Sequence, residues 1–168
     1  MPRRPSHERF LTLLDEHKKI LYKVAGSYCR NPEDRRDLEQ EIVAQLWRSF
    51  DRYDESYKFS TWMYRIALNV AISFYRSETR RSRSTVAADE SVLEIADLRE
   101  TAEPDAGLEI LRQLIARLDE LDRALILLYL DGNRYDTIAE ILGISETNVG
   151  TKIGRIKQRL RRDAARTA

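Results

Sequence analysis

Cysteine is nearly missing from this chain: Cys29 is the only one in 168 residues, so no disulfide can form within it. Histidine is almost as scarce, with His7 and His17 alone, and a metal cluster is therefore not expected. Six glycines and four prolines suit a helical protein, and none of the glycines builds a phosphate-cradling loop. There is no Ser/His/Asp set and no pair of carboxylates in an apolar setting; Glu39 and Glu41 lie in a polar, acidic helix and read as surface charge or partner contacts. An enzyme is thus not expected, and no cofactor is called for. No apolar run is long enough to cross a membrane, and the start Met-Pro-Arg-Arg-Pro leads into no signal-type segment, which makes the cytoplasm the expected compartment.

A formal net charge of +1 hides an uneven distribution. Arg76, Arg80, Arg81 and Arg83 form one basic cluster, and the tail from Lys152 to Arg166 forms another. Between them Asp89, Glu90, Glu94, Asp97, Glu100, Glu103, Asp105 and Glu109 make an acidic stretch relieved only by Arg99. Two cationic surfaces on an anionic tether imply two contacts with a polyanion.

Apolar periodicity divides the rest into two helical blocks. Phe10, Leu13, Leu14, Ile20, Leu21, Val24 and Ala25 recur at helical spacing with a soft break near His17, and Asn31-Pro32 restarts the helix. Leu38, Ile42, Leu46 and Phe50 then follow at i to i+4 steps, with Val43 and Trp47 widening the stripe; Asp37, Gln40, Glu41, Ala44, Gln45 and Arg48 lie on the other face. Asp51 to Lys58 reads as a loop. A third helix runs from Ser60, its expected cap, to about Arg80, with Trp62, Met63, Ile66, Val70 and Phe74 on one apolar face and Tyr64, Leu68, Ile72 and Tyr75 on another. Tyr64 reads as core. Arg65, Asn69 and Arg76 remain as a polar stripe between buried faces, and the first two should have partners there. From Arg83 to Pro104 no period is sustained, apart from a short helical piece around Val92 to Leu98, and this segment reads as a tether. The second block begins near Ala106, with one stripe at Leu108, Leu111, Leu114, Ile115 and Leu118, another at Leu121, Leu125, Ile126, Leu128 and Tyr129, and a stop at Asp131-Gly132-Asn133.

The last segment is the most specific. In Tyr135-Asp-Thr-Ile-Ala-Glu-Ile-Leu-Gly-Ile-Ser-Glu-Thr-Asn-Val-Gly-Thr-Lys-Ile-Gly-Arg155 the spacing of small, apolar and polar residues describes a helix-turn-helix, whose second helix enters the DNA major groove. Ala139 supplies a small residue where the helices cross, Gly143 permits the turn, and Ser145 caps the second helix. Val149, Ile153, Ile156 and Leu160 make its buried stripe, while Thr147, Thr151, Gly154, Arg155, Gln158 and Arg162 face outward. Asn148, Lys152 and Arg159 flank that face on one side; Lys157 and Arg161 flank it on the other, where they should meet phosphate or nothing. A solvated basic helix in a bundle is the bland alternative, but the Ala139, Gly143 and Val149 spacing has no purpose there.

At this point the chain resembles bacterial RNA polymerase sigma factors of the extracytoplasmic-function (ECF) type, in the sigma-70 family. Asp37-Leu38-Glu39-Gln40-Glu41-Ile42-Val43 is similar to region 2.2, Tyr57-Lys58-Phe59-Ser60-Thr61-Trp62-Met63-Tyr64-Arg65-Ile66-Ala67-Leu68-Asn69 to regions 2.3 and 2.4, and Leu121 to Arg162 to region 4. The resemblance implies an all-α fold of two small helical domains joined by a flexible acidic linker: 1–83 as region 2, 84–105 as linker in place of a region 3 domain, and 106–168 as region 4, with no N-terminal inhibitory region. It implies that Asp37, Gln40, Glu41 and Gln45 meet the clamp helices of the polymerase β′ subunit, with the β flap as a second polymerase contact. The −10 element would be read and opened by Asp54, Tyr57, Lys58, Arg65, Asn69 and Arg76. The −35 element would be read by Thr147, Asn148, Thr151, Lys152, Arg155 and Gln158. Core polymerase, promoter DNA and an anti-sigma factor are the implied partners of a chain that is monomeric when free. Two departures stand out: the loop reads Asp-Glu-Ser-Tyr-Lys-Phe where a glycine is more usual, and Gly150 and Gly154 interrupt the recognition helix, either to allow closer approach to the groove or to shift the element read. A helix-turn-helix regulator with a sensor or dimerisation block, and an all-helical adaptor with a degenerate DNA-binding unit, are the competing readings; neither needs the second basic and aromatic region at Tyr57 to Arg83.

Overall fold

The structure is a computed structural model that describes residues 7–84 and 105–167. The described residues form eight α-helices and one 3₁₀ turn, with no strand among them. The chain divides into two compact units, one on each side of the 96–97 bond. The tether segment 85–104, including the short helix expected around Val92 to Leu98, lies outside the described residues.

In the first unit α1 (His7–Glu16) and α2 (Lys18–Tyr28) meet at His17, where the backbone leaves helical geometry (φ −114°, ψ 12°). Asn31 caps α3 (Pro32–Ser49): its side-chain oxygen accepts the Glu33 N–H at 2.7 Å, and Pro32 fills the first turn, where its missing N–H costs nothing. A 3₁₀ turn at Phe50–Arg52 then leads through an exposed loop to α4 (Phe59–Ser84). Helices α2, α3 and α4 pack mutually around Val24, Ala25, Leu38, Ile42, Leu46, Met63, Ala67, Leu68 and Ala71, all buried.

Four expectations need correction here. Ser60 is not the cap of α4, because the helix already starts at Phe59 and the Lys58 carbonyl accepts the Trp62 N–H at 3.2 Å. Nor is α4 buried on two faces. Its core arc runs through Met63, Tyr64, Ala67, Leu68 and Ala71, while Trp62, Ile66, Val70, Ile72, Phe74 and Tyr75 are only partly covered. Arg65, Asn69 and Arg76 consequently face solvent instead of being wedged between apolar surfaces. Trp47, placed on the buried stripe of α3 by its spacing, is 43% exposed.

In the second unit Asp105 caps α5 (Ala106–Ala116), accepting the Gly107 N–H at 2.9 Å, and Asp119 caps α6 (Glu120–Leu130), accepting the Asp122 N–H at 2.8 Å. Leu118 is therefore in the turn between two helices, although it is buried as expected; Leu108 is exposed, and Leu121 and Tyr129 are half-buried. Arg123, which no periodicity singled out, is buried and donates to the carbonyls of Ala116 (2.8 Å) and Leu118 (2.9 Å), satisfying the C-terminal end of α5. Helix α7 (Tyr135–Leu142) ends at Gly143, whose φ of 68° puts it in the left-handed region that glycine enters without strain. Helix α8 (Glu146–Thr167) is packed by α5, α6 and α7 together.

Candidate functional site

The recognition helix is built locally. The Ala139 carbonyl accepts the N–H groups of both Gly143 (2.9 Å) and Ile144 (3.2 Å), closing α7, and Ser145 Oγ accepts the Asn148 N–H at 3.1 Å, opening α8. Val149, Ile153, Ile156 and Leu160 are buried, each burial being worth about 1.5–3 kcal/mol, so the rotation of α8 about its axis is set by its apolar stripe. As a result Thr147, Asn148, Thr151, Arg155 and Gln158 all stand exposed, and Gly154 and Arg162 with them. The Thr151 hydroxyl donates to the Thr147 carbonyl at 3.1 Å.

Three of the flanking cations are engaged within the unit. Lys152 is half-buried near Asp122; its charge and that of Arg159 work against the burial and the Asp119 carboxylate, which together hold the Asp122 pKa above the usual range. Arg159 also pairs with Asp163 at 3.8 Å. Lys157 does not stand free to meet phosphate: its Nζ lies 4.1 Å from the centroid of the Tyr129 ring, a cation–π contact within the protein. Gly150 likewise turns inward, since a Cβ there would lie 3.5 Å from Tyr135 Cε2, whereas at Gly154 nothing lies within 4 Å. Of the two glycines only Gly154 belongs to the outward surface.

In the first unit the loop between the 3₁₀ turn and α4 is shaped by its own residues. The Asp54 carboxylate accepts the Ser56 N–H at 2.9 Å, which holds its pKa below the usual range, and the Asp54 carbonyl accepts the Tyr57 N–H at 3.0 Å. Tyr53, read only as part of a polar loop, packs its ring against Phe50, Phe59 and Trp62 at centroid distances of 5.9, 5.4 and 5.0 Å, and its hydroxyl donates to the Tyr57 carbonyl at 2.8 Å. Asp54, Tyr57 and Lys58 are left exposed, Tyr57 by 58%. Arg65, Asn69 and Arg76 lie exposed on the helix that follows.

Helix α3 supplies a third surface. Asp37, Gln40 and Glu41 are exposed and Gln45 is half-buried; Glu41 pairs with Arg48 at 3.8 Å and Gln45 with Arg48 at 3.4 Å, a loose solvated network that holds no core together. Beside it an open groove of about 570 Å³ is walled by α1, α2 and α3, and Phe10, Leu11, Tyr22, Val43 and Trp47 make it apolar, with Gln40 on its rim. Leu11, Tyr22 and Trp47 are large apolar side chains left in water, so the groove extends the polar face with a hydrophobic one. The exposure of Trp47 could not be inferred from its spacing, which fits the core stripe equally well.

One unit carries a helix-turn-helix with a polar and basic outer face and the other an exposed aromatic and basic surface, the features of a nucleic-acid-binding protein. The Sigma-70 region 2 model matches residues 13–81 and the Sigma-70, region 4 model residues 108–160. Over 152 residues the chain is 30% identical to the ECF RNA polymerase sigma-E factor of Escherichia coli K12, covering 82% of this chain and 78% of that one. It is 29% identical to the ECF RNA polymerase sigma factor SigW of Bacillus subtilis, covering 92% and 88%. Its fold matches that of the sigma factor RpoE in complex with the anti-sigma factor NepR from Bartonella quintana, with a TM-score of 0.76 at 20% identity over 92% of this chain and 96% of that one. It also matches CnrH in complex with the cytosolic domain of CnrY, with a TM-score of 0.69 at 21% identity over 97% and 92%. The chain belongs to the sigma-70 family of RNA polymerase sigma factors, and within it to the ECF type. It is a specificity subunit that directs promoter-specific transcription and performs no catalytic step of its own.

Proposed function

We propose that α8 reads the −35 element with Thr147, Asn148, Thr151, Arg155 and Gln158, with Lys152 held at its flank, and that Asp54, Tyr57, Lys58, Arg65, Asn69 and Arg76 read and open the −10 element. The observation that carries this is the orientation of α8: four buried apolar residues turn Thr147, Asn148, Thr151 and Arg155 to solvent in the N-terminal half, and Gln158 just beyond it, on a helix held by a helix-turn-helix corner. Short hydroxyl and amide side chains there suit base edges, and Arg155 has the bidentate fork that suits guanine. In the first unit an exposed tyrosine beside lysine and arginine suits an unstacked base and its backbone.

Polymerase docking is assigned to the face of Asp37, Gln40, Glu41 and Gln45 together with the adjoining groove. Its acidic and amide edge and apolar floor suit a basic amphipathic helical partner, which is the β′ clamp helices in this reading, with the β flap taken by the second unit. Residues 1–83 act as region 2, 84–105 as the acidic linker and 106–168 as region 4. In this reading the free protein is a cytoplasmic monomer held inactive by an anti-sigma factor, the class of partner that accompanies RpoE in the Bartonella quintana complex. Among the described residues no helix is long and apolar enough to cross a membrane.

The test is in vitro transcription with purified core polymerase on promoters altered singly at the −35 and −10 elements. Loss of discrimination at −35 on changing Arg155, and at −10 on changing Tyr57 or Asn69, is the expected result; unchanged preferences in all three variants would overturn the assignment.

A further inference from the structure

The 54–58 loop is tied internally by the Asp54 turn and the Tyr53 hydroxyl, but its tip also carries a tie to another element. Glu55 Oε1 lies 2.7 Å from an Arg9 terminal nitrogen, a short charge-assisted contact. Arg9 belongs to α1, and the same helix supplies His7, Phe10 and Leu11 to the wall of the apolar groove beside α3. His7 and Phe10 pack against Trp47 at centroid distances of 5.3 and 5.1 Å, and Phe10 also meets Phe50 at 5.2 Å. One ten-residue helix thus touches the groove with one set of side chains and the loop with another.

Neither end of this link has a role in the core. Arg9 and Glu55 are both exposed at the side chain, by 54% and 61%, so the pair contributes little to global stability. What it restrains is position: the Asp54 turn and the Tyr53 hydroxyl tie the loop to itself and to its base, and the Arg9 pair adds a tie from its tip to α1. Tyr53 holds the loop base with its ring and the Tyr57 carbonyl with its hydroxyl, whereas Glu55, at the tip, is held from α1 by Arg9.

We propose that Arg9 is a positioning residue for promoter opening: through Glu55 it fixes the 54–58 loop to the helix that walls the docking groove. Polymerase docking and the aim of the promoter-opening loop are then set by one element, so a partner seated against α1 is felt at Tyr57 and Lys58. The inference rests on the assignment of this loop to the −10 element made above, and goes beyond it by naming a residue that touches neither DNA nor the groove.

The experiment uses the full chain with saturating core polymerase and compares Arg9→Glu, Glu55→Arg and the charge-swapped double variant, with Tyr57→Ala alongside. Core affinity, thermal melting and permanganate reactivity of unpaired thymines are measured for each. Each single reversal should lower opening up to about five-fold, the size of effect an exposed pair carries, with melting and core affinity close to wild type; the swap should restore it. Restoration is the decisive readout, because a loss of fold or of a direct Glu55 contact to DNA would not be repaired from α1. If Tyr57→Ala impairs opening while Arg9→Glu does not, or if the swap opens no better than the worse single variant, the proposal falls and the loop assignment stands. If Tyr57→Ala also opens like wild type, the loop assignment itself falls and takes the proposal with it.

Discussion

The two glycines of the recognition helix offer the sharpest test of how α8 is oriented. Both Gly150 and Gly154 have ordinary helical backbone, since the only positive-φ glycines among the described residues are Gly132 and Gly143. Each should therefore cost about 0.5–1 kcal/mol against alanine in a helix interior. Space permits the change at both: a methyl on Gly150 meets Tyr135 Cε2 at 3.5 Å, an ordinary contact, and one on Gly154 meets nothing within 4 Å. Gly150→Ala and Gly154→Ala should each raise the melting temperature of the second unit by roughly 2–8 °C, taking about 4–8 °C per kcal/mol for a unit of this size. Calorimetry of the full chain reads the shift. Tryptophan fluorescence is the control, because Trp47 and Trp62 both belong to the first unit and report on it alone. The functional outcomes should part company: Gly150→Ala faces Tyr135 and keeps wild-type promoter preference, whereas Gly154→Ala places a methyl on the DNA side and changes binding at the −35 element. A melting temperature lowered by either change would refute the helical geometry on which the α8 assignment stands, and equal effects on promoter preference would refute the inward and outward placement.

Arg155→Ala should cost roughly 1–3 kcal/mol in −35 binding and relax preference at one base position, read by transcription from a promoter library; a uniform loss across sequences would mean that Arg155 meets phosphate. Lys157→Ala should instead act on stability, lowering it by about 0.5–1 kcal/mol through loss of the Tyr129 contact, and should leave the salt dependence of promoter binding unchanged. Glu41→Lys, alone or with Gln40→Ala, should abolish core polymerase binding with no change in the thermal melt, because Glu41 is exposed and its one pairing is the loose contact to Arg48 at 3.8 Å. Unchanged affinity would show that this face is merely solvated. Arg65→Ala and Asn69→Ala should lower permanganate reactivity at −10 more than they lower closed-complex binding.

What the sequence determined by itself is local or strictly periodic. The corner at Gly143 and the cap at Ser145 depend on residues within one turn, and the stripe from Val149 to Leu160 follows from helical pitch alone, so the rotation of α8 and its outward set were legible before any tertiary contact was known. The Asn31-Pro32 restart and the soft break at His17 are of the same kind. Other features needed the neighbours. Trp47 falls on the same repeat as the core residues of α3, and only the placement of α1 and α2 leaves it in an open groove. The buried arc of α4 is not legible from spacing because the alanines at 67 and 71 carry little hydrophobic signal, yet both are fully buried. Lys157 and Arg155 are both cations on one helix; a tyrosine on α6 holds the first, and nothing comparable holds the second. The Arg9 to Glu55 link joins residues 46 positions apart, and pairings at that separation are decided by how helices fold back on one another, which no local pattern encodes.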